Sequence, residues 1–115
     1  MQFVIQIHSG QGPTHWDLML QDGEALATWQ LAALPPQRAG QALPARALAA
    51  HRLAYLTYEG PVNNNRGRVD KLDGGEYITL ARTAERWEFQ LQGAAIAGRF
   101  ELVAQNDGWV LRKIG

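Results

Sequence analysis

The chain contains no cysteine, which excludes disulfides and every thiolate metal site. It also lacks any apolar run near the roughly 18 residues that a membrane-spanning helix needs. The N-terminus does not follow the charged-then-apolar pattern of a signal peptide, so a soluble, cytoplasmic protein without membrane partners is expected. Net charge is absent as well: Lys plus Arg number 11 and Asp plus Glu 11. A neutral chain is a poor match for a long non-specific track along DNA. Lysine is scarce, with two against nine arginines. Arginine grips phosphate through two parallel hydrogen bonds where lysine offers a point charge, although arginine-rich usage is also a compositional habit. Histidine is scarcer than its chemistry would suggest, with only His8, His15 and His51.

What remains is a single domain, residues 1–115, with 46% hydrophobic and 19% charged residues, enough for one core. Period-2 alternation dominates. In Met1–His8, residues Phe3, Ile5 and Ile7 face one way and Gln2, Val4, Gln6 and His8 the other. After the turn-rich loop 9–14, Trp16, Leu18 and Leu20 share one face of the next strand and His15, Asp17, Met19 and Gln21 the opposite one. Asp22-Gly23 signals a hairpin into a strand over Glu24–Leu31. Residues 32–44 read as loop, and Pro44–Ala50 as one short helix, because Ala, Leu and Arg favour it. Further strands are expected at Leu53–Tyr58, Gly67–Leu72, Glu76–Arg82, Trp87–Gln92, Ala95–Val103 and Trp109–Lys113. The separators Glu59-Gly60-Pro61, Asp73-Gly74-Gly75, Gln92-Gly93 and Asn106-Asp107-Gly108 are turn-like. Short, evenly spaced strands of this kind predict a mainly β fold: a small closed or nearly closed antiparallel barrel.

The three histidines carry the chemistry. Residues i and i+2 of a strand share a face, so His15 and Asp17 can converge on one ion. His8 ends the preceding strand, and pairing of the two strands would make it a third ligand. Two imidazoles and a carboxylate suit a first-row divalent metal with open positions. A lone His-x-Asp is nevertheless a weak signal, and histidines near strand ends commonly hold nothing. His51 and Tyr55 would share a face in a strand, where they can hold a phosphate or protonate a leaving oxygen, or simply edge the core. The loop Asn63-Asn64-Asn65-Arg66-Gly67-Arg68 can present N–H groups and guanidiniums to a phosphate, or be an ordinary solvated turn. The four tryptophans read as barrel core.

In combination these segments resemble the 3′-phosphoesterase family of DNA ligase D over nearly the whole chain. The resemblance rests on FVIQIH ending at His8, then HWDLML from His15, then LATWQL around Trp29. HRLAY from His51, YEG at Tyr58–Gly60 and GRVDKLDGGEY from Gly67 follow in order. Phe89, Leu91, Gly93, Gly98, Phe100, Leu102 and Trp109 complete it. No single motif is specific; their order and spacing are.

The resemblance implies roles. His8, His15 and Asp17 fall on the family's metal ligands, typically for manganese. His51 falls on the catalytic or phosphate-contacting histidine and Tyr55 on its helper. The implied reaction removes a 3′-terminal ribonucleoside and then the 3′-phosphate from nucleic acid ends. Met19 departs from the pattern, standing where the family places a phosphate-binding arginine. On the expected strand it projects toward the site, so Met19→Arg is expected to raise the rate. Arg66 and Arg68 are candidate substitutes, and Arg46 a candidate second phosphate ligand. The usual ligase and polymerase domains are absent from the sequence, so a stand-alone module working beside separate ligase or repair proteins is expected. Two other readings stay open: a module that holds metal and strand ends without turnover, and an iron oxygenase using His15, Asp17 and His51 as a facial triad.

Overall fold

The computed structural model describes all residues, 1–115. Nine strands form in chain order: β1 Gln2–Ser9, β2 His15–Asp22, β3 Ala25–Leu31, β4 Ala42–Arg52, β5 Gly60–Pro61, β6 Arg68–Arg82, β7 Arg86–Gly93, β8 Ala97–Gln105 and β9 Gly108–Lys113. They pair antiparallel in the order β1-β2-β3-β4-β9-β8-β7-β6-β5, and β1 also pairs with β6. That last pairing closes a barrel of all strands but β5. The two-residue β5 lies along the first residues of β6, through Gly60↔Val69 and Pro61↔Arg68.

The alternation read from the sequence sets the inside. Phe3, Ile5, Leu18, Leu20, Phe89 and Phe100 are among the residues that fill the barrel, each at most 2% exposed. Each such side chain stabilises the fold by roughly 1.5–3 kcal/mol. Phe89 and Phe100 stack with ring centres 6.1 Å apart, and Trp29 and Trp87 lie in the same core. A smaller cluster forms on the outer face of β1–β3 from Val4, Met19 and Leu26. Leu53, Tyr55 and Leu56 cover it from a single 3-10 turn, Leu53–Leu56.

Three local expectations are corrected. Pro44–Ala50 is not a helix but part of β4. A seven-residue helix is too short to repay its nucleation, and helix preference is worth only tenths of a kcal/mol per residue. The extended form instead pairs with β3 and β9 and buries Ala45 between Leu31 and Trp109. Leu53–Tyr58 is not a strand, because its apolar residues are needed as the lid over Val4, Met19 and Leu26. Asp73-Gly74-Gly75 is not a turn: it runs inside the single long strand β6, beside a register shift opposite Ile5/Gln6. Its glycines answer to crowding. A Cβ on Gly74 would sit 3.0 Å from the Phe3 carbonyl oxygen, and one on Gly75 2.7 Å from that of Gln92.

Asp73 fastens the β7–β8 turn. Its carboxylate accepts N–H bonds from Gly74 (2.8 Å), Ala94 (3.1 Å), Ala95 (2.9 Å) and Ile96 (2.6 Å). Burial alone would raise this carboxyl, but the four donors outweigh it and hold it below the ordinary carboxylate value. A carboxyl depressed in the folded state contributes stability that is present above its unfolded value, about 3.9, and is lost as pH falls through the folded one. Asp73→Ala should therefore cost about 3 kcal/mol at pH 7 in urea unfolding. Asp73→Asn should narrow the stability gap between pH 7 and pH 3; an unchanged gap would show that Asp73 does not drive the acid limb.

Candidate metal centre

Register brings the polar residues of β1 and β2 together. His8 pairs with His15 and Gln6 with Asp17, and cross-strand partners share a face. Since i and i+2 also share a face, Gln6, His8, His15 and Asp17 form a block of four on the outside of the barrel. One nitrogen from each histidine and one Asp17 oxygen lie within 4.8 Å of one another. The two imidazole centres are 4.7 Å apart, and His15 Nε2 is 3.5 Å from Asp17 Oδ2.

The block faces outward, yet Asp17 is only 4% exposed. A roof explains this. The chain from β5 to β6 closes on itself through the Val62 N–H to the Gly67 carbonyl, 2.8 Å, and lies against the end of β1. A Cβ on Gly67 would fall 2.0 Å from the Ser9 carbonyl oxygen, so only glycine fits there. Asn64 and Asn65 have φ of 62° and 55°, a left-handed conformation that asparagine tolerates well. The asparagine run thus serves to turn the chain tightly. The 3-10 turn closes the other side. Between them lies a pocket of about 160 Å3 lined by Gln6, His8, Asp17, His51, Tyr55 and Arg66, with Val62 and Val69.

Hydrogen bonds orient the imidazoles. His8 Nε2 lies 2.6 Å from the Arg66 carbonyl oxygen and His51 Nδ1 3.0 Å from that of Ala49. A carbonyl only accepts, so these nitrogens carry the protons, and His8 Nδ1 and His51 Nε2 keep free lone pairs. The His51 ring meets Tyr55 edge-on at 5.5 Å. Burial pushes the Asp17 carboxyl up, and nearby His15, His51 and His8 offset this only in part. Asp17 Oδ1 is buried and has no hydrogen-bond partner.

The donor set suits a divalent cation. Metal–ligand bonds of about 2.1 Å put neighbouring donors roughly 3–3.5 Å apart, close to the His15–Asp17 separation. The same carboxylate carries a second oxygen, Oδ1, buried without a partner and so open to a further ligand; leaving it unpaired costs on the order of 1–3 kcal/mol.

The remaining sequence candidates divide. Arg66 lines the pocket and serves it through its carbonyl, while its Nε donates to Asn63 O at 3.0 Å. Arg68 faces away. Its neighbour Val69 pairs with His8 and takes the site's side, and the Arg68 guanidinium is tied to Asp70 at 2.8 and 3.0 Å. Arg46 sits in the cross-strand row Gln6–Asp17–Gln30–Arg46, on the site's face about 10 Å from Asp17 at the usual strand spacing. Gln6 was missed. It is 1% exposed and donates to the carbonyls of Tyr55 (3.0 Å) and Tyr58 (3.2 Å), pinning the turn to the barrel. Its signal was its place on the His8 face. Met19 shares the face of His15 and Asp17 as expected but does not reach the pocket: it is fully buried with Val4 and Leu26 under the 3-10 turn.

The protein is thus a closed antiparallel barrel bearing a His-His-Asp cluster in a pocket that a histidine and a tyrosine also line. Compared with models of known families, residues 6–104 match the DNA ligase D 3′-phosphoesterase domain. The chain belongs to that family. A search of curated proteins returns no match.

The burial of Met19 reverses the expectation for Met19→Arg. A guanidinium there would enter an apolar cluster without a partner, so the variant should lose at least about 3 kcal/mol in urea unfolding instead of gaining activity. A variant of wild-type stability would mean that the 3-10 turn lifts readily off the barrel.

Proposed function

We propose that the protein is a metal-dependent phosphoesterase acting on nucleic acid 3′ ends, removing a 3′-terminal ribonucleoside and then the 3′-phosphate to leave a 3′-hydroxyl. The observation that carries this reading is the buried, unpartnered Asp17 oxygen beside two histidines, facing His51 and Tyr55 across one small pocket. His8, His15 and Asp17 would hold the ion, manganese by family resemblance, and when bound it supplies Lewis-acid polarisation of phosphoryl oxygens. The residues of the chain do the rest. The His8–Arg66 and His51–Ala49 hydrogen bonds fix ring orientation before substrate arrives. His51 in its protonated form delivers a proton from Nε2 to the departing oxygen, with Tyr55 beside it. Arg66 and Arg46, neither of them in an ion pair, supply positive charge toward the phosphate and the strand leading to it. The 3′-hydroxyl product is the end that a ligase or polymerase requires, so such enzymes are the natural consumers.

Calorimetric titration should show manganese binding by the wild type and none by His15→Ala or Asp17→Ala, with both variants still folded, since an open site contributes less to folding than a closed structural one. In a manganese-dependent assay on a primer with a 3′-phosphate, His51→Ala should lower kcat by about 100- to 10,000-fold. The second reading, a non-catalytic module binding metal and strand ends, is favoured by the apolar Met19 where the family has arginine. It is selected if the wild type binds manganese and the primer but turns over neither the 3′-phosphate nor a 3′-ribonucleotide.

A further inference from the structure

Beside the small pocket lies a second, larger cleft of about 510 Å3 that no role above uses. Tyr55, Val62 and Arg66 line both, so the two adjoin. We propose that this cleft, built on Tyr58 and flanked by Arg52 and Arg66, takes the base and sugar of the nucleotide whose phosphate enters the small pocket. The assignment rests on the phosphoesterase reading for the place of the phosphate, and on the cleft itself for the rest.

Size is the first ground. The 160 Å3 pocket suits a phosphate and an ion, whereas 510 Å3 falls within the range of organic-ligand sites. A nucleotide held by its phosphate therefore has in this cleft an adjoining space large enough for its nucleoside.

Tyr58 is the second. It is 39% exposed, one of five large apolar side chains so placed, yet it is held at three points. Its hydroxyl donates to the Pro61 carbonyl, its own carbonyl accepts from Gln6 Nε2 at 3.2 Å, and its ring meets Tyr55 edge-on at 5.8 Å. Gly60 makes room: a Cβ there would stand 3.3 Å from the Tyr58 hydroxyl. An exposed aromatic ring fixed in this way offers stacking area with little ordering cost on binding.

Charge is the third. Arg68, Arg82, Arg86 and Arg112 are each tied to a carboxylate. Arg52 and Arg66 are in no ion pair, and the one carboxylate lining the cleft, Glu59, already accepts the Lys71 N–H at 2.8 Å. A fixed aromatic platform beside guanidiniums outside ion pairs is the pattern of base-tolerant nucleic acid strand binding.

The test uses two labelled DNA strands ending in a 3′-methylenephosphonate, whose carbon–phosphorus bond is not hydrolysed. They are identical except that one lacks the base of its last nucleotide. Anisotropy titration with the manganese-loaded protein should show the base-bearing strand bound about 5- to 100-fold more tightly. Tyr58→Leu should bring that ratio close to one, and Tyr58→Phe should preserve it. Equal affinities in the wild type, binding of neither strand, or an undiminished ratio in Tyr58→Leu would overturn the proposal. Turnover of a 3′-phosphate primer, measured alongside, separates the two claims. A ratio of one with turnover sinks the nucleoside cleft and spares the phosphoesterase reading; a large ratio without turnover does the reverse.

Discussion

The register between β1 and β2 is the constraint on which the site depends. Only with His8 opposite His15 and Gln6 opposite Asp17 do three side chains able to ligate a metal and a buried anchor share one patch. A slip of one residue would turn every side chain to the other face, bringing His8 and Gln6 into the barrel and Phe3 and Ile5 out to water. The same alternation that buries Phe3, Ile5, Leu18 and Leu20 thus presents the polar set outward. Folding energy and site geometry are one condition here, and closure through β1–β6 enforces it from the other edge of β1.

An outward-facing cluster on a barrel wall would ordinarily be wet and loosely held. The roof changes that. Gln6 ties the Tyr55 and Tyr58 carbonyls down to β1, and the Arg66 carbonyl takes the His8 proton. Gly67 lets the loop press onto Ser9. These contacts come from main-chain atoms of the roof, so the segment 53–67 can vary much of its outer surface without disturbing the imidazoles. Met19 extends the logic. Its apolar cluster anchors the 3-10 turn that carries Tyr55, so the residue standing where a phosphate-binding arginine was expected is also part of what holds the pocket wall in place.

Much of this was legible in the sequence. The alternation placed β1, β2 and β3 and chose which residues face inward, and His15-x-Asp17 shared a face by period alone. The roof was not legible, because it depends on contacts between segments far apart in the chain. Gly67 meets Ser9, and Gln6 meets Tyr55, across some 50 residues or more. Local preference misled where tertiary demand overrode it. Pro44–Ala50 became strand because β3 and β9 needed a partner, and Asp73-Gly74-Gly75 stayed in strand because its carboxylate fastens a distant turn. Arg68 illustrates the limit of reading a loop as a unit, since one step of strand alternation separates it from the site.

Net neutrality looked like an argument against nucleic acid, but the distribution of charge alters its meaning. Glu101, buried on the far wall, is bound by both Arg86 and Arg112, and Arg82 holds Asp22. Those pairs consume charge where it stabilises the barrel. Arg46, Arg52 and Arg66 stay out of ion pairs, Arg46 in the cross-strand row of Asp17 and the other two at the clefts. Such a surface has little long-range field with which to draw in or track along a duplex, because opposite charges cancel within a Debye length of about 10 Å. Charge outside ion pairs acts at short range, and Arg52 and Arg66 place part of it at the clefts. In the proposed reading this favours recognition of a strand end, where a terminal phosphate and an unpaired nucleotide are both within reach, over recognition of the continuous backbone.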